Sequence, residues 1–155
     1  EAGGLTLGSV YVPNGGKDYE AKLRFLAAME GYAAGLESAS RRLLLGGDLN
    51  VALTDRDVHP KERKPGVIGQ RSEERELLAG VISQGLVDVG RALDPDNDGL
   101  FTWWAPWRNL RQRNIGWRID YILASRSLAE RATASQVLAD YGTSDHAPVL
   151  ATFDL

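Results

Sequence analysis

Hydrophobic and polar positions follow two different periods along the chain, and the switches between them mark its elements. Leu5, Leu7, Val10 and Val12 sit among small residues in a strand-like opening that stops at Pro13-Asn14-Gly15-Gly16, a turn sequence. From Asp18, an N-cap residue type, apolar residues recur at Leu23, Leu26, Met29, Ala33 and Leu36, with Lys22, Arg24, Glu30 and Glu37 among the polar positions. This spacing predicts an amphipathic helix laid on a sheet. Leu43-Leu44-Leu45-Gly46-Gly47 then predicts a strand covered on both faces, ended by two glycines and followed by Asp48-Leu49-Asn50. Strand, helix and strand at this crossover length predict parallel neighbours, which puts Tyr11 and Asp48 at one sheet edge. Asp48 and Asn50 are two apart on extended backbone and point the same way, so they can serve one site. A strand ending in an Asx-type turn explains the same eight residues equally well.

Residues 51–71 predict a long surface loop, with Asp55, Arg56, Asp57, an exposed His59, Lys61, Glu62, Arg63 and Lys64 between Thr54 and Pro65-Gly66. Ser72 is the expected N-cap of a second helix that carries Glu73 and Glu74 in its first turn, turns Leu77, Leu78, Val81 and Ile82 inward, and ends at Gly85. Asp94-Pro95-Asp96-Asn97-Asp98-Gly99 begins like a calcium loop, but Ala105 occupies the position where a bidentate Glu is needed, which leaves a polar turn. Leu100 to Trp104 predicts a short aromatic strand, and Ala105 to Gly116 a loop. Trp117 to Ala124 predicts a strand with Asp120 in its middle, a carboxylate that needs a partner. Strands near Ala132 to Leu138 and Pro148 to Phe153 flank a loop ending Thr143-Ser144-Asp145-His146.

Composition narrows the class. At 155 residues, 43% hydrophobic and 25% charged, the chain is expected to form a single α/β unit over residues 1–155. The absence of cysteine excludes disulfides, thiolate metal sites and cysteine nucleophiles, and fits a reducing compartment. Without an apolar run near the ~20 residues of a membrane span or a leader-like opening, a cytoplasmic location and no membrane partner are expected. The net charge of -3 hides an asymmetry. Phe101 to Arg131 holds Arg108, Arg111, Arg113, Arg118, Arg126 and Arg131 against Asp120 and Glu130, six positive charges against two and a net +4, which suggests a phosphate-facing surface.

Five separated segments thus offer site-type residues at strand ends or in loops. Each has a plain structural explanation: Tyr11 as an interfacial core residue, Asp120 as a satisfied buried acid, His146 as a packed loop histidine. Together, however, Val10-Tyr11-Val12-Pro13-Asn14-Gly15, Gly47-Asp48-Leu49-Asn50, Asn114-Ile115-Gly116-Trp117-Arg118-Ile119-Asp120-Tyr121 and Ser144-Asp145-His146-Ala147-Pro148 resemble, in order, the exonuclease III family of apurinic/apyrimidinic endonucleases, within the endonuclease/exonuclease/phosphatase superfamily. Gly-Asp-x-Asn and Ser-Asp-His belong to the superfamily at large, whereas the tyrosine-proline-asparagine turn and the Trp-Arg-Ile-Asp-Tyr strand point to abasic-site enzymes.

The resemblance implies an α/β fold, part of the four-layered sandwich of DNase I-like proteins, and Mg²⁺-dependent hydrolysis (Mn²⁺ as the substitute) of a phosphodiester at an abasic site or 3′ end of double-stranded DNA. It implies that Asp48 activates or orients the water, that Asn50 positions it, and that Asp120 fixes the tautomer of His146, which stabilises phosphate charge. Tyr11 would donate to the phosphate or leaving group. Asp145 would serve the metal, with Asp48 and Asn50 as further donors. Asn14 and Lys17 would contact the DNA backbone, Trp107 and Arg113 would add an aromatic and a basic contact, and Trp103, Trp117 and Ile119 would line a slot for the abasic sugar. One departure stands out: nothing ahead of Leu5 resembles the family's opening half-domain, with its Trp-Asn strand and metal-binding glutamate. The chain therefore reads as the C-terminal half of such an enzyme, expected to bind metal poorly and to be nearly inactive without its other half. The competing readings are another phosphodiesterase or phosphatase of the superfamily and a non-catalytic nucleic-acid-binding module.

Overall fold

The computed structural model describes residues 4–154. Strands β1 (Leu5–Tyr11), β2 (Arg42–Asp48), β3 (Leu86–Asp88) and β4 (Asp120–Ser125) form a sheet in the order β1-β2-β4-β3, and β5 (Ala132–Val137) pairs with β6 (Val149–Phe153) in a second sheet. β1 and β2 run parallel, as the intervening helix α1 (Tyr19–Ser38) predicts, and β4 runs antiparallel to β2. Asp18 caps α1 by accepting the Ala21 N–H at 2.8 Å. Helix α1 and helix α2 (Ser72–Ser83) cover one face of the four-stranded sheet, where Leu26, Met29, Ala33, Leu43, Leu45, Leu78, Val81, Tyr121 and Leu123 form the main core. Burying one such leucine contributes about 1.5–3 kcal/mol. Leu44 and Ile122, pointing the other way, pack with Ala132, Ala151 and Phe153 of the second sheet. Two sheets with helices outside form the mixed α/β sandwich that the sequence suggests. That second face is only partly covered, and Leu7 on β1 is 63% exposed.

Gly47 is the point at which β2 depends most on glycine. It sits at φ +151°, and a Cβ there would lie 1.9 Å from the Val10 carbonyl oxygen on β1. Gly47→Ala is expected to lower stability by about 3 kcal/mol, because backbone has to move on the strand that presents Asp48. Urea denaturation checks it, and an unchanged midpoint would mean that the strands do not approach this closely.

The structure corrects several expectations. Leu100 to Trp104 is not a strand: Trp103 makes only single bridges, to Trp117 and His146, so its backbone is shared between two neighbours. β4 begins at Asp120, not at Trp117, because the Arg118 N–H is drawn off to the Asp57 carbonyl at 2.7 Å. The 51–71 segment is not simply a surface loop, since Val51, Ala52, Asp57 and Val58 are buried and two short 3-10 turns, Asp55–Asp57 and Pro60–Glu62, shape it. The N-cap of α2 is Arg71, with Ser72 the first helical residue. Lys22, expected on the polar face of α1, is fully buried. A short helix, α3 (Val89–Leu93), follows β3, and a single helical turn, α4 (Arg126–Ala129), follows β4. Among the described residues no helix is long and apolar enough to cross a membrane.

Candidate active site

Three strand ends meet at one edge. Parallel pairing sets Tyr11 beside Asp48, and antiparallel pairing sets Asp48 opposite Asp120. The chain then leaves β2 through a turn that Asp48 itself organises: its carboxylate accepts the Asn50 N–H at 2.8 Å and the Asn50 side-chain amide at 3.0 Å. That amide also donates to the Val12 carbonyl at 2.8 Å, and the Asn14 amide donates to the Asn50 side-chain oxygen at 3.3 Å. Asn50 holds this position at φ +52°, a left-handed conformation uncommon outside glycine. The Asx-turn that the sequence allows is formed, and it leaves room for a site at the same residues.

Opposite, the Asp120 carboxylate accepts from His146 Nδ1 at 2.9 and 3.2 Å and from the Thr102 hydroxyl at 2.6 Å. Holding Nδ1–H on the carboxylate fixes the tautomer and leaves Nε2 for the cleft. The hydrogen bond to Asp120 raises the His146 pKa above its ordinary value, with Asp48 and Asp145 adding to the effect and burial opposing it. Burial pushes the Asp48 carboxyl up to about 6, and the charge of Asp120 pushes the same way, against the Asn50 N–H, His146 and Lys22. A carboxylate made costly to ionise in this way is a better proton acceptor than one in water.

These groups face a cleft of about 310 Å³ lined by Tyr11, Asn14, Asp48, Asn50, Ile68, Trp103, Trp117, Ile119 and His146. One side is polar and the other apolar, with Trp103 and Trp117 edge to face at 5.6 Å. Ile68 was not foreseen: it arrives from the long 51–71 segment, where no periodicity marks it. Thr102 was also missed, as a lone hydroxyl among aromatics gives no signal before Asp120 is placed beside it.

Other expected site residues lie apart. The Asp145 carboxylate accepts from the Trp103 indole N–H at 2.9 Å and borders a neighbouring cavity of about 320 Å³ between the 105–112 and 142–145 loops, which Trp107 also lines. Lys17 and Arg113 are exposed and do not line the cleft. The suggested basic surface is smaller than the sequence implies. Arg118 is buried, paired with Asp57 at 2.7 Å and Asp88 at 2.7 Å, and Arg111 is committed to the carbonyls of Ala139, Tyr141 and Ser144. Burial pushes the Asp57 carboxyl up, but Arg118 and Arg91 outweigh it and hold the group below the usual carboxylate range.

Among the described residues no three His, Asp or Glu side chains converge as a metal cage. Asp48 and Asp145 can each lend an oxygen, and the Asn50 side-chain oxygen, which accepts from Asn14 at 3.3 Å, keeps a second lone pair. One or two carboxylates serve Mg²⁺ when water and substrate oxygens complete its shell, but Asp48 and Asp145 line neighbouring cavities rather than one, so this chain's donors fit the ion in part.

The chain is similar to known proteins over most of its length. The sequence profile described as "Endonuclease/Exonuclease/phosphatase family" matches residues 2–146. The chain is 35% identical over 144 residues to an exodeoxyribonuclease of Bacillus subtilis, covering 91% of this chain and 57% of that protein. It is 34% identical over 147 residues to the DNA repair nuclease APEX1 of Danio rerio, covering 91% of this chain and 46% of that one. Among solved structures, an AP endonuclease from Archaeoglobus fulgidus superposes with a TM-score of 0.87 at 29% identity, over 99% of this chain and 63% of its own. A 3′-5′ exonuclease from Neisseria meningitidis gives 0.90 at 30% identity, over 99% and 62%. The chain thus spans about half the length of the curated relatives it matches, 57% and 46% for these two.

Proposed function

We propose, from the premise that this chain belongs to the endonuclease/exonuclease/phosphatase family, that the protein carrying it is a DNA-repair nuclease cutting phosphodiester bonds at abasic sites and DNA 3′ ends. One observation carries the reading: Asp48 and His146, the latter held by Asp120 behind it, share a cleft whose other wall is Ile68, Trp103, Trp117 and Ile119. The polar wall suits a phosphodiester, and the apolar wall suits a sugar that has lost its base. Small phosphoesters would leave that wall unused.

Hydrolysis of the diester requires an activated water, charge stabilisation on the non-bridging oxygens, and help for the departing oxygen. Asp48, ionised near neutral pH, accepts a proton from the water whose oxygen attacks phosphorus, and the P–O bond to the leaving oxygen breaks as the new one forms. Asn50, held by Val12 and Asn14, keeps the Asp48 carboxylate aimed. His146, whose cationic form the hydrogen bond to Asp120 favours, donates from Nε2 to a phosphate oxygen. Tyr11, at the mouth and 64% exposed, donates its hydroxyl to the phosphate or the leaving oxygen. Asn14, Lys17, Trp107 and Arg113 contact the flanking DNA. Mg²⁺ or Mn²⁺ is the proposed cofactor, with Asp145 and then Asp48 and Asn50 as this chain's donors and further donors from outside it; when bound it supplies charge neutralisation at the phosphate.

A further half of the same fold is the proposed partner of the open sheet face at Leu7, Leu44, Ile122 and Phe153, which line a groove of about 430 Å³. Support comes from the relatives' greater length.

Incision of an abasic duplex tests the proposal, with and without chelator, using this chain and an N-terminally longer form, beside small phosphoester substrates. The longer form is expected to nick the abasic duplex and lose activity with chelator, and this chain alone to be nearly inactive. Preference for a small phosphoester over the duplex, or no hydrolysis by either form, would sink the reading; robust chelator-sensitive nicking by this chain alone would refute the need for a further half.

A further inference from the structure

Lys22 on α1 and Glu74 on α2 are both 0% exposed and form an ion pair beneath the cleft. Apolar side chains of the same volume hold two helices together at least as well as a buried ion pair does, because neither has to leave water. Fixed donors and acceptors are what apolar residues cannot supply. Lys22 Nζ donates to the Asn50 carbonyl at 2.7 Å. Glu74 accepts the Gly69 N–H at 2.7 and 3.0 Å and the Arg71 N–H at 3.1 Å. Gly69 in turn accepts the Ala52 N–H at 2.8 Å, and sits at φ +92° where a Cβ would come within 2.9 Å of the Trp117 ring and 3.3 Å of the Asn50 carbonyl. The pair therefore grips two things at once: the left-handed residue whose amide aims Asp48, and the turn that carries Ile68 to the cleft wall beside Trp117.

We propose that Lys22 and Glu74 are positioning residues of the hydrolytic site, clamping the Asn50 turn to the Gly69 turn so that the polar floor and apolar wall of the cleft hold a fixed separation. This rests on reading the cleft as a nuclease site. Neither side chain touches substrate. Both act through Asn50 and Ile68.

The test compares Lys22→Met with Lys22→Met/Glu74→Gln in the longest natural form of the protein. The single variant strands a buried carboxylate and is expected to lose thermal stability; the double variant removes both charges and is expected to regain most of it. If the pair positions the site, the double variant still shows kcat on abasic duplex lowered about 10²-fold with KM within about threefold, the pattern of misplaced groups. The Ala52 and Gly69 amides should also exchange faster with deuterium while those of α1 do not. Wild-type kcat together with wild-type exchange at Ala52 and Gly69 in the double variant would overturn the proposal and leave the pair as a structural contact. Should the wild-type protein leave abasic duplex uncut, the nuclease reading fails, and exchange at Ala52 and Gly69 alone then decides for or against the clamp.

Discussion

Asp48→Asn is expected to lower kcat for abasic-site incision about 10³-fold, within the range for loss of a positioned general base. The substitution keeps the side chain's shape but removes its capacity to take a proton, and the amide nitrogen it introduces meets the Asn50 amide at 3.0 Å. Substrate binding depends mainly on the other wall of the cleft, so KM should change much less than kcat. The pH behaviour gives a second readout. The folded pKa of Asp48, about 6, lies above the ordinary carboxylate value of about 4. A group shifted in this direction contributes stability that is full below about 4 and is lost as pH rises through about 6. Wild-type stability should therefore fall over that window more than the stability of Asp48→Asn, which has no carboxylate to desolvate, and wild-type activity should rise through the same region. Denaturation at pH 4 and pH 7, beside single-turnover rates from pH 5 to 9, makes the comparison. A near-wild-type kcat in Asp48→Asn would remove Asp48 from the chemistry.

The parts of this site that were legible in the sequence are those set by local backbone. A strand, a capped helix and a second strand are written in Leu5 to Asp48 as two periods and a turn, and parallel pairing of the strands follows from the crossover. Tyr11 beside Asp48 needs nothing more. Asp120 was found through its incongruity, a carboxylate in an apolar run, although its strand starts later than expected because Asp57 captures the Arg118 backbone. What stayed hidden depends on contacts between distant segments. Nothing in residues 51–71 shows that Asp57 is buried by Arg91 and Arg118, or that Ile68 reaches the cleft. Lys22 occupies a helical position where a lysine is ordinarily solvated, and only the arrival of Glu74, 52 residues later in the sequence, makes its burial tolerable. The arginines of 101–131 misled for the same reason: charge count records sign but not partners, and Arg118 spends its charge internally. Asp145 and His146 are adjacent in sequence, yet one turns to Trp103 and the other to Asp120.

That divergence gives the second large expectation. His146→Ala and Asp120→Asn should each reduce kcat, His146→Ala by about 10³-fold and Asp120→Asn by about 10²-fold, and the double variant should be no worse than His146→Ala alone. Non-additivity follows from the geometry. Asp120 contacts His146 Nδ1 and the Thr102 hydroxyl, and apart from the smaller effect of its charge on Asp48 its link to the cleft runs through the imidazole, so once the ring is gone its loss costs little more. The two variants also differ in pH profile. His146 has its folded pKa raised by Asp120, so its stabilising contribution is full below about 6.5 and is lost as pH rises through the higher folded value. In Asp120→Asn the imidazolium loses its partner, its pKa falls, and the alkaline limb of activity should move to lower pH; in His146→Ala that limb should vanish. Strict additivity of the two substitutions, with an unmoved alkaline limb in Asp120→Asn, would mean that Asp120 acts on the substrate directly and that His146 is not the charged group at the phosphate.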